Sequence, residues 1–123
     1  MLMKKVFVVD DDAMSLKMAE FILQQNNYAV IKASSGMEFL SMLSKVEVDL
    51  VLLDIEMPLM NGIKTLETMK KNEAFRDIPV MFLTANTELD TIKEAGKLGV
   101  SGYVKKPFLP QDLLDRVAGV IGK

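Results

Sequence analysis

The chain predicts an α/β fold: a doubly wound, five-stranded parallel sheet built as (βα)₅ with strand order 2-1-3-4-5. Three observations carry that prediction. Five short apolar runs alternate with five amphipathic stretches along the 123 residues, so the hydrophobic period switches repeatedly between strand and helix values. Strict alternation calls for right-handed crossover helices on both faces of a parallel sheet. Four runs lead into polar residues, Asp10-Asp11, Asp54, Thr84 and Lys106. Parallel strands bring such ends to one edge, where open α/β sheets bind ligands.

The first expected strand is Lys5–Val9, followed by a helix over Ala13–Gln25. Leu16, Ala19 and Leu23, with Met18 and Ile22, give this helix a broad apolar stripe of 3.6-residue period. Asp12 is its expected N-cap, and Ser15 stands three residues on in capping-box-like spacing. Tyr28–Ala33 and Gly36–Ser44 form the second pair, Leu50–Leu53 and Gly62–Asn72 the third. Asn61 is placed to cap the third helix. Val80–Leu83 precedes a fourth helix over Thr87–Leu98, stopped by Gly99 in the left-handed C′ position. Gly102–Val104 precedes a fifth over Pro110–Ile121, with Pro110 in the first turn. Leu109, at that helix's N-cap, forgoes about 0.5–2 kcal/mol of side-chain capping. No linker or low-complexity segment interrupts the pattern, so one domain over residues 1–123 is expected.

Composition narrows the chemistry. A net charge of −2 gives no electrostatic basis for this domain to bind nucleic acid or a membrane. Cys is absent, which removes disulfides, thiolate nucleophiles and Cys-based metal sites. His is absent too, so any phosphohistidine step must come from a partner. The apolar run in MLMKKVFVVD is too short for a signal-peptide core or a membrane span, and a cytoplasmic setting is expected. Met14, Met18, Met42, Met69 and Met81 sit at core-like spacing and are expected to fill the interior.

FVVDDD places three acidic residues after the first strand. A helix cap needs one of them, which leaves Asp10 and Asp11 to bind a hard cation, one directly and one through water. Mg²⁺ suits such a site, with Mn²⁺ as the alternative ion. DLVLLDIEMPLMNG puts Asp54 at the end of a buried strand, where a carboxylate can attack a phosphoryl donor and become an acyl phosphate. Thr84, in PVMFLTAN, is by itself a turn residue; beside Asp54 its hydroxyl donates to a phosphoryl oxygen. SGYVKKPF offers Lys105 and Lys106. Successive strand residues face opposite ways, so one lysine reaches the pocket, and Lys106 is the choice. Its bond to Pro107 is a candidate for the cis form.

These motifs, in this order and spacing, resemble the receiver domain of two-component response regulators of the chemotaxis-regulator type, from Lys4 to about Ile121. The resemblance implies a flavodoxin-like fold with Asp54 as phosphoacceptor, Asp11 binding Mg²⁺ and Asp10 acting through water. It implies that Glu56 lends its backbone carbonyl to the metal and that Thr84 and Lys106 contact the phosphoryl group. Tyr103 becomes a rotameric switch that turns inward when Thr84 moves, and the Lys106–Pro107 bond is cis. Glu56 and Asn86 occupy positions that tune phosphoryl lifetime. The donor is a sensor histidine kinase or histidine phosphotransfer protein. The output partner is unspecified, and the output face combines the fourth helix, fifth strand and fifth helix. Such a chain promotes only its own phosphorylation and dephosphorylation and is otherwise no enzyme.

Three rival readings fit less well. A haloacid-dehalogenase-type phosphohydrolase would want a second Asp two residues after the nucleophile, near the N-terminus, and a cap domain; position 56 is Glu, on the third strand. A flavodoxin-like cofactor binder would want a Ser/Thr/Gly-rich loop where the three aspartates stand. A phosphorylation-independent interaction module has no need for the complete set of acidic residues, acceptor and lysine.

Overall fold

The computed structural model describes residues 3–85, 93–94 and 96–122. Strands β1 (Lys5–Val9), β2 (Ala29–Ala33), β3 (Leu50–Asp54), β4 (Val80–Thr84) and β5 (Gly102–Lys105) form one parallel sheet in the order β2-β1-β3-β4-β5. Helices α1 (Ala13–Gln25), α2 (Gly36–Leu43) and α3 (Gly62–Lys70) join the first four strands, and a C-terminal helix, Pro110–Ile121, follows β5. This is the predicted flavodoxin-like order. It sets β1 and β3 side by side at the centre.

Side chains alternate across the sheet and divide the core into two layers. Val6, Val8, Leu50, Leu52 and Leu83 pack against Ala19, Ile22 and Leu23 of α1 and Leu113 and Val117 of the C-terminal helix. Phe7, Val9, Val51, Leu53 and Phe82 pack against Phe39 and Leu43 of α2 and Leu66 and Met69 of α3. Phe7 and Phe39 meet edge to face with centroids 4.9 Å apart, a favoured aromatic geometry. All five residues of β3 are buried, so Asp54 ends the best-covered strand.

Helix ends follow local chemistry. Asp12 Oδ1 accepts the Met14 N–H at 2.9 Å, and Ser15 Oγ donates to Asp12 Oδ2 at 3.2 Å. The Met14 N–H bond holds the Asp12 carboxyl below its usual pKa. Asn61 Oδ1 accepts the Lys64 N–H, and Leu109 makes no side-chain cap. Ser35 and Glu38 cap α2 reciprocally: Ser35 Oγ accepts the Glu38 N–H, while Glu38 Oε1 accepts the Ser34 N–H. α3 ends at Lys70 rather than Asn72, because Asn72 Oδ1 accepts the Ala74 N–H and turns the chain in an Asx motif. In the expected fourth helix, Lys93, Glu94, Gly96 and Lys97 are helical and Gly99 has φ 77°; residues 86–92 and 95 lie outside the described residues.

One expectation is corrected. Met69 and Met81 are buried, but Met14 and Met18 are 68% and 43% exposed. The sheet-facing arc of α1 is centred on Ala19, Ile22 and Leu23. Positions 14 and 18, one turn apart, fall outside that arc. No described helix is long and apolar enough to cross a membrane.

Candidate functional site

Register assembles the site. Val9 pairs with Leu53, so Asp10 emerges beside Asp54. Asp10 is fully buried and Asp54 is 3% exposed, while Asp11 is exposed. One carboxylate oxygen from each of Asp10, Asp11 and Asp54 lies within 4.8 Å of the other two. The loop after Asp54 is fixed by Gly62, whose N–H donates to Ile55 O at 2.8 Å. A Cβ at Gly62 would stand 2.2 Å from Asp54 O, so only glycine permits this approach. Within the loop the Glu56 N–H donates to Asp54 Oδ1 at 3.3 Å, and the Glu56 side chain is exposed.

The far side of the site comes from β4 and β5. Thr84 ends β4 at 4% exposure. Lys105 pairs with Thr84 in register and is exposed. The Lys106 N–H donates to Thr84 O at 3.0 Å, and its Nζ lies 2.8 Å from Asp10 Oδ2 and 3.5 Å from Asp54 Oδ2. The Lys106–Pro107 bond is cis. Tyr103 pairs with Phe82 and is half-buried against the layer formed with α2 and α3. Thr84, two residues beyond Phe82, shares that face. Asn86 lies outside the described residues.

Crowded carboxylates set the electrostatics. Burial and then the charge of Asp10 push Asp54 up to about 7, against the opposing pull of Lys106 and the Glu56 N–H. Burial disfavours the Lys106 ammonium, but Asp10 and Asp54 outweigh it and raise its pKa. Asp10 Oδ1 accepts the Asp12 N–H at 2.9 Å. Asp10 Oδ2 is buried and has no aligned hydrogen-bond donor among the described residues; the Lys106 ammonium approaches it as an ion pair, off hydrogen-bond geometry. A buried anionic oxygen in that condition is costly. Three hard oxygen donors around it suit a small divalent cation of the Mg²⁺ type.

A pH dependence follows for the metal-free protein. Asp54 has a folded pKa near 7 against an ordinary value of 3.8, so between those limits the folded state holds the extra proton. Stability therefore falls as pH rises through that window. The expected loss between pH 5 and 8 is on the order of 1–3 kcal/mol. Asp54→Asn removes this contribution and should raise the melting temperature at pH 8 by several degrees. Urea denaturation of both proteins in EDTA at the two pH values measures it. A wild-type loss no larger than the variant's would refute the like-charge account.

Fold and site together define a single-acceptor signalling domain with an acidic, lysine-bearing edge. A family model for the response regulator receiver domain matches residues 6–118. Response regulator SaeR of Staphylococcus aureus (strain USA300) is 38% identical over 120 residues, covering 97% of this chain and 51% of SaeR. The phosphate regulon transcriptional regulatory protein PhoB of Escherichia coli (strain K12) is 32% identical over 118 residues, 96% of this chain and 52% of PhoB. Among solved structures, chemotaxis protein CheY4 of Vibrio cholerae gives a TM-score of 0.92 at 30% identity, covering 97% of this chain and 99% of that one. The chain belongs to the response regulator receiver domain family of two-component systems. Such domains carry phosphorylation-dependent signalling and interact with histidine kinases and output domains. This chain spans about half the length of the curated relatives it matches.

Proposed function

We propose that this chain is a phosphorylation switch that takes a phosphoryl group from a sensor histidine kinase or histidine phosphotransfer protein onto Asp54. The observation that carries this reading is a buried carboxylate with an ammonium 3.5 Å from one oxygen and two further aspartates beside it. Asp54 supplies the attacking oxygen. Lys106 balances charge on the transferred group, and Thr84 donates its hydroxyl to a phosphoryl oxygen. Asp10, Asp11, Asp54 and the Glu56 carbonyl would hold Mg²⁺, with Mn²⁺ as substitute. The ion, when bound, neutralises charge on the phosphoryl oxygens. Glu56 and Asn86 tune how long the acyl phosphate lasts. The chain acts on no substrate but its own phosphoryl group, in a cytoplasmic setting, as one domain over residues 1–123.

The output step runs through Tyr103. Drawing Thr84 toward the phosphoryl group vacates space on the face it shares with Tyr103, and the ring turns inward, shifting the population of two surface states. The face around β5, the C-terminal helix and the segment before Gly99 then binds its output partner differently. Incubation with acetyl phosphate and Mg²⁺ should add one hydroxylamine-labile phosphoryl group, and EDTA should suppress it. Beryllofluoride should move amide resonances from Thr84 to Val104. Failure to take up any phosphoryl group refutes the acceptor reading, and resonance shifts confined to the pocket refute the switch.

A further inference from the structure

Met14 and Met18, exposed on α1, do not stand in open solvent. With Pro107 and Phe108, and with Asp12, Ser15 and Lys106, they line a cavity of about 200 Å³. Lys106 belongs both to this cavity and to the acceptor site, since its Nζ lies 3.5 Å from Asp54 Oδ2. The other side of the mouth carries the exposed Asp11 and Glu56. The acceptor is thus flanked by a solvated acidic side and a sulfur- and aromatic-walled recess.

A phosphoryl donor has two ends, and the leaving group must depart in line, away from the attacking oxygen. The chain contains no histidine, so a nitrogen-linked donor has to bring its own ring. Resting on the acceptor reading above, we infer that Met14, Met18, Pro107 and Phe108 form the leaving-group subsite and select a flat, uncharged nitrogen heterocycle. Methionine sulfur and the Phe108 ring make favourable contacts with an aromatic ring. Asp12, on the rim, accepts the Met14 N–H and the Ser15 hydroxyl, and its negative charge suits a donor ring that carries a proton. Acetate, an anion, meets like charge there.

The step balances without a further reactant. An Asp54 oxygen forms the O–P bond as the P–N bond breaks, and the bonding pair stays on the ring nitrogen. The remote ring nitrogen keeps its proton, so the ring leaves as neutral imidazole. Asp54 becomes the acyl phosphate.

The test compares monophosphoimidazole with phosphoramidate, which transfers the same group from nitrogen but has no ring. Both are followed by intact mass in the presence of Mg²⁺. The paired substitution Met14→Ala with Met18→Ala should lower the ratio of kcat/KM for phosphoimidazole to that for phosphoramidate by roughly three- to tenfold. The change should lie mainly in KM. Met14→Leu with Met18→Leu, which keeps apolar walls, should recover most of the ratio. Phosphoramidate uptake by each variant shows that the fold and acceptor are intact. A ratio unmoved by the alanine pair overturns the subsite while leaving the acceptor reading standing. Absence of uptake from every donor by the wild-type chain overturns both.

Discussion

In the Asp54→Asn protein, uptake of a phosphoryl group from acetyl phosphate is expected to fall to zero at every Mg²⁺ concentration. The amide nitrogen and oxygen of Asn cannot form the acyl phosphate, and the other candidates are poorly placed. Asp10 is fully buried, with Oδ1 on the Asp12 N–H and Oδ2 against Lys106. Asp11, Asp12 and Glu56 are exposed and lack the close ammonium that offsets charge in the transition state. No histidine or cysteine is present to act instead. The variant should fold, because replacing one of the crowded carboxylates relieves repulsion. Intact mass and peptide mapping decide the matter. A modification that survives on another residue would mean that the acceptor is misassigned.

Much of this was legible because parallel α/β folds tie sequence pattern to place. Alternating apolar runs specify strand order and the shared edge. Asp10, Asp54, Thr84 and Lys106 reach that edge through backbone register, which one chain can reveal. What escaped depends on the third dimension. Met14 and Met18 carry the spacing of core residues, yet α1 is rolled so that Ala19, Ile22 and Leu23 take the sheet; periodicity gives a stripe without fixing which edge of it is covered. The capping pair of Ser35 and Glu38 was open to reading from its spacing. Leu59 was not: it has φ 67° and is fully exposed, although bulky residues seldom adopt that conformation. The ion pair of Lys106 with Asp10 was equally hidden, since the motif points the lysine at the pocket without ranking two neighbouring carboxylates.

Lys106→Ala is expected to slow phosphorylation about 10²- to 10³-fold, the usual effect of removing one preorganised charge-stabilising donor. Lys105→Ala should stay within about twofold, as for a surface change away from any site. The contrast rests on placement. Lys105 is exposed in register with Thr84, while the Lys106 ammonium is 18% exposed and sits between Asp10 and Asp54. Removing it leaves two buried carboxylates without their cation, which also costs stability. Rates must therefore be compared on protein shown to be folded by circular dichroism. Losing the ammonium also removes the pull that holds the Asp54 pKa down, so more of the acceptor is protonated at neutral pH. The slow reaction should then recover in part as pH rises, a signature that a merely unfolded fraction would not give. Lys106→Arg keeps the charge, but its planar fork cannot occupy a point-charge position between two carboxylates, and intermediate rates are expected. Equal effects of Lys105→Ala and Lys106→Ala would place the working cation elsewhere.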